Sequence, residues 1–203
     1  MDRIVLEVNK KLYDEAVMVV MGRDGCSALH RAAKYGHVPM ARLLLDHGWD
    51  MDKPDDLGWT PLHWAAFFGQ INFMVFMAVR GAKINTQTSG LKKTPLHLAA
   101  EEGEKAAVKQ LLCWGADRQV KNSKGKTAEE LSLNDETRAV FMEIEDQGQE
   151  ELLARAEKEE DWITAAVLYS RGVDTEWMDM DMKQKVAALA GRWYRFLDDL
   201  DEC

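Results

Sequence analysis

Asp55-Asp56-Leu57-Gly58-Trp59-Thr60-Pro61-Leu62-His63-Trp64-Ala65-Ala66 encodes a chain reversal followed at once by a helix. Gly58 permits the positive φ that a tight turn needs, and Asp55 can accept hydrogen bonds from the backbone of that turn. Thr60 is an N-cap residue, and Pro61 at the first helical position gives up a donor that has no intrahelical acceptor anyway. Leu62, Ala65 and Ala66 then share one helical face, where the two alanines admit a close neighbour. His63, just inside the helix, is expected to bridge to backbone in the next turn. A single unit of this kind cannot bury its own apolar face, so it requires copies.

The copies are present. Asp24-Gly25-Cys26-Ser27-Ala28-Leu29-His30-Arg31-Ala32-Ala33 lies upstream, and Lys93-Thr94-Pro95-Leu96-His97-Leu98-Ala99-Ala100 lies downstream. A reduced version follows at Lys124-Gly125-Lys126-Thr127-Ala128-Glu129-Glu130-Leu131. The cap positions Ser27, Thr60, Thr94 and Thr127 are 33, 34 and 33 residues apart. This period and the T-P-L-H-x-A signature resemble the ankyrin repeat. The resemblance implies an all-α solenoid of helix-turn-helix units joined by β-hairpin fingers. The repeats are expected at about 23–52, 53–85, 86–120 and 121–147, the last of them a degenerate cap.

Outside this array the helical spacing persists without the period. Ile4, Val8, Leu12, Ala16 and Val19 make residues 1–22 a capping helical segment, because an end repeat exposes a face that must be covered. Residues 148–203 carry two amphipathic patterns, one through Leu152, Ala156, Ala165 and Tyr169 and one through Val186, Leu189, Trp193 and Phe196. They read as a C-terminal helical hairpin.

Three positions depart from the repeat. The second helix of repeat two, Ile71 to Val79, is apolar nearly all round, and Asn72, Val75 and Val79 are expected on its outward side. Its cover is then either the chain's own termini or a partner, so the convex helix 71–79 and the C-terminal hairpin are candidate second contacts. The turn Thr88 to Lys93 has one extra residue and lacks an aspartate and a glycine at the positions where the repeat expects them. Trp49 stands where a small residue is usual, near the base of the next hairpin.

Bulk properties narrow the function. A net charge of −9 and a pI of about 5.1 argue against a nucleic-acid ligand, which favours a clustered basic face. Three separated cysteines indicate neither a disulfide framework nor a zinc site, which fits a reducing, cytoplasmic compartment. The N-terminus does not read as a signal peptide, and no apolar run is long enough to span a membrane. His30, His63 and His97 recur at equivalent positions, so stacking places them about 10 Å apart, too far to share one metal. With no HExxH, phosphate-cradling glycine loop or cysteine beside a local base, the sequence reads as non-catalytic, with no cofactor.

The ankyrin resemblance implies which positions specify a partner: those flanking the turn glycine and the two after each Ala-Ala pair. They are Asp24, Cys26, Lys34 and Tyr35 in repeat one, and Asp56, Leu57, Trp59, Phe67 and Phe68 in repeat two. Gly90, Leu91, Lys93, Glu101 and Glu102 follow in repeat three, with Lys124 and Lys126 in the last. Tyr35, Leu57, Trp59, Phe67 and Phe68 form an apolar centre, rimmed by Lys34, Lys93, Glu101, Glu102 and Lys126. Such a centre and rim is how protein interfaces concentrate binding energy. The expected function is an adaptor or scaffold that binds a protein through its concave face. A regulatory or targeting subunit of an enzyme complex is the alternative, since it would use the same surface.

Overall fold

The computed structural model describes residues 25–144 together with 156, 158, 164, 165, 167 and 168. The expected helical segment at 1–22 and most of the expected hairpin at 148–203 lie outside the described residues. Inner helices α1 (Ala28–Tyr35), α3 (Pro61–Phe67) and α5 (Pro95–Glu102) alternate with outer helices α2 (Val38–Asp46), α4 (Ile71–Val79) and α6 (Lys105–Cys113), and α7 (Asp135–Glu143) follows. Helix α3 packs on α1 and α5, while α4 lies between α2 and α6, so the helices stack in two parallel rows. Among the described residues there is no strand. The architecture is an all-α solenoid.

Small residues set the spacing of the inner row. Ala33, Ala65, Ala66, Ala99 and Ala100 have no exposed surface, and Leu29, Leu62 and Leu96 fill the space beside them. One continuous core runs from Ala28 to Ile144, and Trp49 packs against it as a half-buried ring.

Each inner helix is joined to the next repeat by its histidine. The Nδ1 atoms of His30, His63 and His97 accept the cap N–H of Ser27, Thr60 and Thr94 at 3.0, 3.1 and 3.2 Å. Their Nε2 atoms lie 2.9, 3.1 and 3.2 Å from the carbonyls of Trp59, Lys93 and Lys126 in the following finger. A carbonyl only accepts, so Nε2 carries the hydrogen and Nδ1 is the acceptor. The ring thus does the work of the glutamate in a capping box and also reaches across to the neighbouring repeat, rather than to the next turn of its own helix. In the last repeat Glu130 takes the ordinary capping-box role, its Oε2 accepting the Thr127 N–H at 2.8 Å. The first helix there shrinks to a 3-10 turn, Glu129–Leu131. Arg118 secures that end by donating to the Phe141 and Ile144 carbonyls, both at 2.9 Å.

The fingers are tight turns rather than paired strands. Asp55 Oδ1 accepts from the amides of Leu57 and Trp59 at 2.9 and 2.8 Å, and Asn122 Oδ1 does the same for Lys124 and Lys126 at 2.9 and 3.1 Å. These side-chain acceptors close the turn in place of an extended ladder, which accounts for the missing β structure. Gly58 has φ +79°, and a Cβ there would stand 2.3 Å from the backbone nitrogen of Ser89, so consecutive fingers nest on that glycine.

The longer third finger solves the same problem with other residues. Thr88 Oγ1 accepts the Lys93 amide at 3.0 Å, and Thr88 N donates to the Lys93 carbonyl at 2.9 Å. Lys92, two residues before its cap as Gly58 is before Thr60, takes the left-handed conformation at φ 49°. A lysine pays a steric penalty there that glycine avoids, partly offset by glycine's larger unfolded-state entropy. Lys92→Gly is therefore expected to stabilise the protein by up to about 1 kcal/mol, read as a raised urea midpoint. A lower midpoint would show that the lysine side chain itself stabilises the turn.

Helix α4 corrects the outward placement of Val75. Val75 is 4% exposed, and Phe73, Met74, Phe76, Met77 and Ala78 are buried with it. Only Asn72 is exposed, with Val79 half-buried. Buried Val167 belongs to the same core. The apolar side chains of 71–79 are thus covered within the chain, and the convex helix offers no apolar face for a second contact.

Candidate functional site: an aromatic concave face

The finger tips and the ends of the inner helices form one side of the stack, the side that is concave in solenoids of this kind. Its middle is a contiguous group of four rings. Trp59 meets Trp64 edge-on at 5.6 Å between centroids and Phe67 at 5.4 Å. Trp64 stacks on Phe68 at 6.0 Å, and Phe68 meets Phe67 at 5.0 Å. These separations and tilts are those that aromatic quadrupoles prefer. All four rings are half-buried, and Trp59, Phe67 and Phe68 stand apart from the main core.

One carboxylate orients the group. Asp55 is 7% exposed; one of its oxygens closes the finger, and the other accepts from Trp64 Nε1 at 3.0 Å. The finger and the inner helix are thereby tied together through a tryptophan. Trp64 is the residue that the sequence pattern did not single out. Its signal was its size: the equivalent positions hold Arg31 and Leu98.

The remaining candidates surround the rings. Lys34 Nζ lies 5.2 Å from the Phe68 ring centre and 5.5 Å from that of Tyr35, within cation–π range of both. Tyr35, Leu57 and Leu91 are exposed to 73%, 63% and 49%, large values for apolar side chains. Asp56, Glu102, Lys124 and Lys126 are exposed as well. Lys93 is ion-paired with Glu101, which removes it from the free rim, and its carbonyl accepts the His63 bond. Cys26 is half-buried with its sulfur 3.7 Å from Asp55, Gly90 is exposed, and Asp24 lies outside the described residues.

His30, His63 and His97 are each used in the fold. Burial lowers the pKa of His30 and His97 below the ordinary value and brings that of His63 down to about 4. Hydrogen bonds to the finger carbonyls oppose this shift without reversing it. Among the described residues no three His, Cys, Asp or Glu side chains are grouped so as to hold a metal ion. Nor is any described helix long and apolar enough to cross a membrane.

Comparison with known proteins agrees with this architecture. The family described as ankyrin repeats (many copies) matches residues 29–78, and the single ankyrin repeat matches residues 92–123. Over residues 29–123 the chain belongs to the ankyrin-repeat family, a class of protein–protein interaction modules. The palmitoyltransferase Hip14 of Drosophila melanogaster is 34% identical over 95 residues, 47% of this chain and 15% of that protein. A transient receptor potential cation channel subfamily A member 1 homologue of Caenorhabditis elegans is 30% identical over 128 residues, 63% of this chain and 10% of its own length. Alpha-latrotoxin-Lh1a of Latrodectus hasselti is 34% identical over 99 residues, 48% of this chain and 7% of the toxin. The chain therefore spans only a small part of each of these relatives.

Proposed function

We propose that this chain is a non-catalytic adaptor whose concave ankyrin surface binds a protein partner. The observation that carries this reading is the ring group Trp59, Trp64, Phe67 and Phe68, held in place by Asp55 yet standing mostly outside the main core. A tryptophan held by a dedicated hydrogen bond, with three half-buried rings beside it outside the main core, serves an interface better than it serves folding. The enzymatic activity in the name of one relative does not transfer, because the matched stretch is a small part of that protein and is itself ankyrin repeat. The relatives differ widely in kind, as expected of a binding module that is attached to many activities.

The test is capture from native lysate with wild-type chain and with Trp59→Ala combined with Phe67→Ala. Both residues are half-buried, so the double variant is expected to stay folded, with a melting temperature within a few degrees of wild type, and to lose its prey. Prey retained equally by the folded variant would move the site away from the concave face. Unfolding of the variant would make those rings part of the core.

A further inference from the structure

Along the inner helices of the concave face the charge changes from repeat to repeat, while the finger tips beside them carry exposed Asp56, Lys124 and Lys126. Repeat one contributes Arg31 and Lys34 from α1, repeat two the rings, and repeat three Glu101 and Glu102 from α5. The positions correspond by register: Lys34, Phe67 and Glu101 each follow an Ala-Ala pair, and Tyr35, Phe68 and Glu102 come next. A cationic end, an aromatic centre and an acidic end therefore lie in one row across three repeats.

The two ends are satisfied to different degrees. Arg31 and Lys34 have no carboxylate partner among the described residues, and Lys34 rests against the Tyr35 and Phe68 rings instead. An ammonium beside ring faces and half out of water is a stronger anion receptor than one fully hydrated. At the other end Glu101 is neutralised by Lys93, while Glu102 is exposed and unpaired among the described residues. Glu102 is thus the free acceptor for a cation.

From this arrangement we infer that the occupant is an extended protein segment carrying a carboxylate, then an apolar anchor, then a basic side chain. The carboxylate meets Lys34, the anchor rests on the rings, and the basic group meets Glu102. This rests on the concave face being the binding surface, and it adds the chemistry of what binds. Neighbouring packed helices are about 8–10 Å apart, so α1 to α5 spans about 16–20 Å. An extended chain advances about 3.3 Å per residue, which places the two charges about five or six residues apart with the anchor near the middle. Either chain direction satisfies the pattern, because charge order along the groove is what is read.

The test selects displayed random dodecapeptides on the full chain and then measures labelled winners by fluorescence anisotropy. Enriched peptides should share an acidic and a basic residue about five or six apart, with a large apolar residue between. Lys34→Glu should weaken a winner about tenfold or more, because it sets like charges against each other. The same peptide with its acidic residue changed to lysine should recover binding to Lys34→Glu while losing it to wild type. That exchange of preference identifies the contact, because a merely misfolded variant would not gain a ligand.

Winners that lack the charge spacing, or that bind wild type and Lys34→Glu equally, overturn the inference. If those winners still fail on Trp59→Ala with Phe67→Ala, the concave face stands and only the charge reading falls. Winners indifferent to both variants remove the face as well. Failure to enrich any peptide also overturns the inference, as does self-association of the chain that Lys34→Glu abolishes, which would make a second copy the occupant.

Discussion

Leu62→Ala is expected to destabilise the protein by about 2–5 kcal/mol, the largest effect of any single apolar truncation argued for this chain. Leu62 has no exposed surface and lies in α3, which packs on the inner helices of both neighbouring repeats. Truncation removes its isopropyl group and leaves a cavity in a row of helices packed through Ala-Ala pairs. Those have no side-chain freedom with which to fill it. Stability in a stacked array is a sum of repeat terms and nearest-neighbour interfaces, so a void in the central repeat weakens two interfaces at once. Leu57→Ala, at a finger tip and 63% exposed, is the internal control and should change stability by less than about 0.5 kcal/mol. Urea unfolding of the two variants beside wild type makes the comparison. An unchanged Leu62→Ala would mean that the stacking register is wrong.

What was legible in the sequence was whatever depends on short-range chemistry. Thr60, Pro61 and the Ala65-Ala66 pair prescribe a capped helix with one close-packing face, and the recurrence of that pattern every 33 or 34 residues prescribes the stack. Features that depend on a distant atom were not legible. The role of Trp64 rests on the second oxygen of Asp55, nine residues away and across a turn. The longer finger still closes because Thr88 replaces an aspartate and Lys92 adopts the backbone of a glycine, substitutions that composition alone argues against. Val75 is buried although the repeat pattern places it outward, and no local periodicity announces that. The candidate concave residues followed from the register of the repeat. The pairing of Lys93 with Glu101, which takes that lysine out of the free rim, did not.

The His63 link should make stability depend on pH in a predictable window. In the unfolded chain the imidazole titrates near the ordinary 6.5, whereas burial between Thr60 and the Lys93 carbonyl lowers it to about 4 in the fold. Between these values the unfolded state holds the extra proton, so stability is full above pH 6.5, declines as the pH falls toward 4, and levels off below. The depression corresponds to about 3 kcal/mol at its limit, most of which should be lost between pH 7.5 and 4.5. His30 and His97 are lowered too, by burial, and add to the slope with the same sign. His63→Gln isolates the central residue: glutamine suits this capping position but does not titrate, at the cost of the bond to the Lys93 carbonyl. The variant should be less stable at pH 7.5 and lose about 2–3 kcal/mol less than wild type on going to pH 4.5, measured by urea unfolding at both values. Parallel pH curves for the two proteins would show that protonation of His63 is tolerated inside the stack. The neutral ring would then not be what joins Thr60 to the next finger.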